Sequence, residues 1–250
     1  MPVQPIFSTA TTDGARTTLS DEEVVTRVIS GETDLFEIVM RRYNQRLFRI
    51  VRSIVGTDHE AEDAVQEVYL SAYSHLGQFA GQARFSTWLT RIAINQALAR
   101  RRRRARRPER ELKEHDGDLA APASARSPED EASRREMRRV LEAAIDELPP
   151  MYRVVFVMRE LEQMSTAETA SALEIAEIAT KVRLFRAKGL LRHALSAQKH
   201  ASFADVYPFL GVRCDRIVSA VMSALVPSEG PYRRPLATPA DDPAGTVSPR

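Results

Sequence analysis

Apolar residues recur every three or four positions through most of this chain, the pattern of helices that bury one face. Ser20 stands ahead of Asp21, Glu22 and Glu23, a capping residue followed by acids that suit a helix N-terminus, and Val24, Val28 and Ile29 follow at helical spacing. Leu35, Ile38, Val39, Leu47, Ile50, Val51 and Ile54 continue the pattern, and Gly56-Thr57-Asp58 breaks it before a further helix. Helical periodicity then runs to about residue 100, with no strand alternation competing. Over 108–133 the pattern lapses. Pro108, Gly117, Pro122, Ser124, Ser127 and Pro128 lie among charges and alanines there, a composition that cannot bury enough apolar surface to fold alone. This predicts a flexible linker between two domains.

Periodicity resumes at Arg134. Met137, Leu141 and Ile145 share a face until Leu148-Pro149-Pro150 stops the helix. Ser165-Thr166-Ala167-Glu168 fits a capping box, opening a short helix that continues through Thr169, Ala170 and Leu173. A turn at Glu174–Glu177 and a second helix from about Ile178 to Leu195 complete a helix-turn-helix. In that second helix Thr180, Leu184, Ala187, Leu191 and Leu195 cluster on one side. Lys181, Arg183, Phe185, Arg186, Lys188 and Arg192 take the remaining arc, a set suited to phosphate anchoring and to base-edge contacts in a major groove. An ordinary helical hairpin with a solvated basic face would show the same pattern.

After Phe209-Leu210-Gly211 comes one more amphipathic stretch, with Ile217, Val218, Val221, Met222 and Leu225. Pro227, Pro231, Pro235, Pro239, Pro243 and Pro249 then predict a disordered tail, and residues 1–18 a loose leader.

Composition bounds the function. The chain has 250 residues, of which 43% are hydrophobic and 28% charged, enough for two small cores. The net charge is only +2, so the distribution of charge is more informative than its sum: Arg100, Arg101, Arg102, Arg103, Arg104, Arg106 and Arg107 form one block where phosphate could be neutralised. The single cysteine, Cys214, excludes an intrachain disulfide and a multi-thiolate zinc site, which fits a reducing cytoplasm. No apolar run approaches about 18 residues and the N-terminus has no signal-peptide pattern, so membrane insertion is not expected. The five histidines are scattered, and no phosphate loop or nucleophile constellation is present. Catalysis, a cofactor and a metal are therefore not expected.

Two stretches carry a resemblance. Residues 59–98 include His59-Glu60-Ala61-Glu62-Asp63-Ala64-Val65-Gln66-Glu67-Val68-Tyr69-Leu70, Phe79-Ala80-Gly81, Phe85-Ser86-Thr87-Trp88-Leu89 and Arg91-Ile92-Ala93-Ile94-Asn95. They resemble region 2 of sigma factors of the sigma-70 family. Residues 141–192, with Leu148-Pro149-Pro150, Arg153, Arg159-Glu160, Ser165, Glu168 and Lys181 through Lys188, resemble region 4. With only a linker between them, the arrangement is similar to the extracytoplasmic-function group.

The resemblance implies an all-α chain of two small helical domains plus a short C-terminal helix. Its expected parts are a leader (1–18), region 2 (19–107), a linker (108–136), region 4 (137–198), a C-terminal extension (199–226) and a disordered tail (227–250). It implies a transcription initiation factor that binds core RNA polymerase, through its beta and beta-prime subunits, and promoter DNA, with an anti-sigma factor as a further partner. Asp63, Gln66 and Glu67 would dock on polymerase. Phe79, Gly81, Arg84, Phe85, Thr87, Trp88, Arg91 and Asn95 would meet the −10 element, where melted strands offer base faces for stacking; Trp88 and Phe85 could equally be core. Lys181, Val182, Arg183, Phe185, Arg186 and Lys188 would read the −35 element.

Three positions depart from the family pattern. Glu174 stands where glycine is usual in the turn, Ala176 where a serine or threonine often caps the second helix, and Thr180 where valine is usual. The C-terminal stripe would pack on region 4 or bind a regulator. A one-component regulator using only its helix-turn-helix on operator DNA is the rival reading.

Overall fold

The structure, a computed structural model, describes residues 19–81, 83–106, 128–195, 206–209 and 211–225. The expected leader, the tail from 227, Arg107 and most of the expected linker lie outside the described residues.

Helix α1 (Asp21–Ile29) starts at a capping box: the Glu23 amide donates to the Ser20 hydroxyl, and Glu23 accepts from the Ser20 amide at 2.7 Å. A 3-10 turn (Thr33–Leu35) leads into α2 (Phe36–Val55), whose long apolar face is buried from Phe36 to Ile54. Gly56 ends α2 at φ 103°, a left-handed conformation that glycine adopts without a Cβ penalty, and Thr57 caps α3 (Asp58–Ser74) immediately after. A 3-10 turn (Leu76–Gln78) precedes α4 (Phe85–Ala105), which carries the arginine block on its last turns. Helices α2, α3 and α4 pack pairwise around one core, with Phe36 set edge-on against Tyr69 and Tyr73.

Part of the stretch that composition reads as linker is helical. Helix α5 spans Pro128–Asp146, so residues 128–136, expected as linker, are helical. Pro128 is its first residue, where proline's fixed φ and missing N–H cost nothing, so this proline starts a helix instead of breaking one. Pro150 does the same for α6 (Pro150–Phe156), which runs into a π turn at Val157–Leu161. Helices α7 (Thr166–Leu173) and α8 (Glu177–Ala194) form the helix-turn-helix, and α9 (Gly211–Leu225) closes the described chain. The fold is all-α, as the resemblance implies.

The two domains are packed together. Helix α2 lies against α6, and α4 against α7. Arg52 of α2 reaches Asp146 of α5 with two hydrogen bonds, at 2.9 and 3.1 Å, and Arg49 of α2 pairs with Glu162 at 3.3 Å.

Candidate nucleic-acid and polymerase interface

The turn between α7 and α8 is built without its usual glycine. Ser165 and Glu168 form the capping box of α7, with bonds of 3.0 and 2.9 Å. Backbone and hydroxyl donors at Ser165 hold the Glu168 carboxyl below its ordinary range. Glu174 then turns the chain at φ 54°, and α8 starts at Ala176 with no side-chain cap. Thr180 is fully buried and returns its hydroxyl to the Ala176 carbonyl at 3.4 Å, so it fills the place expected of valine.

Helix α8 buries Thr180, Ala187 and Leu191 and turns the opposite arc to water. On that arc Phe185 is 79% exposed and Val182 43% exposed, between the exposed Lys181 and Arg186. Arg186 donates to the Tyr152 hydroxyl at 3.1 Å, Lys188 pairs with Glu160 at 2.9 Å, and Arg183 is half-buried. Ile178, 68% exposed, lies on the same arc and was missed by the sequence reading, because an apolar residue in the first turn of an amphipathic helix looks like core.

In the first domain Phe79, Phe85 and Trp88 form one ring cluster, with centroids 5.3–5.6 Å apart. Gly81 allows the loop before α4 to turn at φ 67°. The cluster divides by depth. Phe79 and Trp88 keep part of their surface in water, while Phe85 is 1% exposed and Thr87 is buried. These two, expected at a DNA surface, point inward because the first turn of α4 inserts into the core beside Tyr43. Arg84, Arg91 and Asn95 are exposed on α4 and just before it.

Arg84 and Arg91 nonetheless have partners, and both lie in the other domain. Arg84 pairs with Glu168 at 3.3 Å, and Arg91 donates to Glu174 at 2.6 Å. The residue that departs from glycine in the turn thus sits on a residue expected to meet the −10 strand.

The acidic arc of α3 is also engaged. Asp63, Gln66 and Glu67 face away from the buried Ala64, Val65 and Val68. Arg100 of α4 bridges Asp63 at 3.1 Å and Glu67 at 3.0 Å, and Arg104 donates to Glu60 at 2.6 Å. Arg101, Arg102, Arg103 and Arg106 project into water. Among the described residues no cluster of His, Cys, Asp and Glu could hold a metal ion, and no helix is long and apolar enough to cross a membrane.

Comparison with known proteins gives this geometry a family. The family model Sigma-70 region 2 matches residues 39–107, and the model Sigma-70, region 4 matches residues 138–191. The RNA polymerase sigma-H factor of Pseudomonas aeruginosa is 31% identical over 181 residues, covering 70% of this chain and 93% of the relative. The ECF RNA polymerase sigma-E factor of Escherichia coli strain K12 is 31% identical over 178 residues, covering 68% and 91%. Among solved structures, CnrH in complex with the cytosolic domain of CnrY matches with a TM-score of 0.53 at 24% identity, over 72% of this chain and 99% of that one. The sigma factor RpoE in complex with the anti-sigma factor NepR from Bartonella quintana matches with a TM-score of 0.51 at 21% identity, over 66% and 98%. At such identity the two structures show the shared fold. Two regions matched in order, and relatives matched over nearly their whole length, establish that this chain belongs to the extracytoplasmic-function group of sigma-70 factors, proteins of transcription initiation.

Proposed function

We propose that the chain binds core RNA polymerase through its beta and beta-prime subunits, reads −35 and −10 promoter elements, promotes melting and so directs a signal-responsive regulon in the cytoplasm. The observation that carries this reading is the outer arc of α8. A helix that leaves Phe185 and Val182 in water between Lys181 and Arg186, with its other face buried, presents cations to phosphates and apolar tips to thymine methyl groups. In the first domain, Phe79 and Trp88 offer ring faces to melted bases, Arg91 a phosphate contact and Asn95 an amide for an extruded base edge. Asp63, Gln66 and Glu67 form the docking arc for polymerase, once Arg100 yields its carboxylates. The solved likeness RpoE is held in a complex with the anti-sigma factor NepR, which supports an anti-sigma factor as a partner here too.

This function requires opening. The −35 and −10 elements lie about 25 base pairs apart, or roughly 85 Å of duplex at about 3.4 Å per pair. In the closed chain α4 touches α7, so the two reading surfaces cannot reach both elements at once.

The test is a division of labour measured with core polymerase. Lys181→Ala with Arg186→Ala is expected to weaken −35-dependent initiation while core binding is kept. Asn95→Ala is expected to impair opening at −10 while −35 binding is kept. Loss of core binding in the first variant, or unchanged open-complex formation in the second, would refute the assignment.

A further inference from the structure

Neither family match reaches residues 206–225, yet this segment is held firmly at two places. Its helix α9 buries Ile217, Val218, Val221 and Leu225 against α2 and α3, so the C-terminal stripe packs on region 2, where packing on region 4 or binding of a regulator was expected. Arg213, 3% exposed, anchors it. Its guanidinium lies 2.7 Å from Asp58 and 2.7 Å from Glu62, donates to the Pro208 carbonyl at 3.2 Å, and stacks over Phe48 at 4.2 Å. Arg216 adds a bond to Glu62 at 2.7 Å, Arg41 one to Asp215 at 2.9 Å, and the Asn44 amide donates to the Cys214 sulfur at 3.1 Å.

Just before α9 the segment grips the other domain. Tyr207, 1% exposed, donates its hydroxyl to Asp146 at 2.6 Å and its backbone N–H to Glu142 at 2.9 Å, both on α5. Arg52 of α2 covers the Tyr207 ring at 4.7 Å while bonding the same Asp146. Tyr207 adopts φ 51°, a left-handed conformation strained for a bulky residue, which persists where surrounding contacts over-determine it. A chain that ties α2 and α3 to α5 also holds the arrangement in which Glu168 and Glu174 occupy Arg84 and Arg91.

We propose that residues 206–209 and 211–225 act as a built-in strap: α2 and α3 form a docking surface whose occupant is the chain's own C-terminal helix, and the strap holds regions 2 and 4 closed. Its consequence, restraint of promoter engagement until polymerase separates the regions, rests on the sigma-factor reading above.

The test compares the full chain with Tyr207→Ala, which releases α5 and leaves α9 docked, and with a chain ended after residue 205. Small-angle scattering should show both variants expanded and monomeric. With core polymerase and promoter DNA, their apparent affinity should rise by up to about tenfold where the open form is roughly a tenth of the free chain. Unchanged dimensions with helicity retained would overturn the strap, and a full chain with dimeric mass would overturn its action within one molecule. If the shortened chain or Tyr207→Ala loses helicity, Tyr207→Phe decides, since it removes only the hydrogen bond to Asp146: expansion supports the strap and no expansion overturns it. Expansion without any promoter complex from the full chain or its variants would uphold the strap and sink the sigma-factor reading instead.

Discussion

Glu174 holds a left-handed turn that favours glycine, at a cost of roughly 1 kcal/mol. In return it meets Arg91, an exposed pair whose strength is about 0–1 kcal/mol in water. The two effects nearly cancel, so Glu174→Gly is expected to change stability by less than about 1 kcal/mol while freeing Arg91. A urea titration checks this, and a large loss would show that Glu174 does more than pair. Arg213 stands at the other extreme. Stranding a buried charge pair typically costs about 3–5 kcal/mol, but Asp58 keeps Arg52 and Glu62 keeps Arg216, so Arg213→Ala is expected to cost about 2–3 kcal/mol. Thermal unfolding monitored by circular dichroism reads this loss.

Glu168 adds a pH term at the same scale. Its carboxyl is held below the ordinary value, first by the Ser165 amide and hydroxyl and also by the facing Arg84 and Arg46. A depressed carboxylate contributes stability that is present above its unfolded value and is lost as pH falls through the depressed one. Glu168→Gln should therefore flatten part of the acid loss of stability below about pH 4.5. Equal acid sensitivity in variant and parent would assign that loss to other carboxylates.

At the scale of elements, what the sequence disclosed was local. Ser20, Gly56, Thr57, Ser165 and the paired prolines at 149–150 set helix ends through bonds to residues a few positions away, so those ends were readable. The buried arc of α8 followed from periodicity in the same way. Partner choice was not readable. Nothing in the stripe of α9 says that α2 and α3 cover it, and nothing near Arg84 or Arg91 points to Glu168 or Glu174, more than eighty positions away. The burial of Phe85 and Thr87 was not readable for a related reason, since a motif assigns a segment to a surface without saying which side of the helix turns inward. For α8 itself, each phosphate cation contributes close to one unit to the salt slope of binding, so Lys181→Ala should lower that slope by about 1 and weaken binding across sequences uniformly. Titrations at several salt concentrations measure it; an unchanged slope would remove Lys181 from the phosphate contacts.

At the scale of the molecule, two small helical domains each present a surface suited to a nucleic acid, and the closed arrangement joins those surfaces by ion pairs. Arg84 and Arg91, proposed to contact DNA, meet carboxylates of the other domain, and Arg100 occupies the acidic arc of α3. Under the proposed function, free chain and initiation complex would be two states of one set of charges, exchanged when polymerase and DNA supply better partners. The most direct measurement is run-off transcription with purified core polymerase on fragmented DNA from the genome that encodes the chain, read by sequencing. The account predicts transcripts from a small set of shared promoter sequences, present only when core and chain are both added. Tight sequence-specific duplex binding by the chain alone, with no chain-dependent transcript from core polymerase, would contradict it.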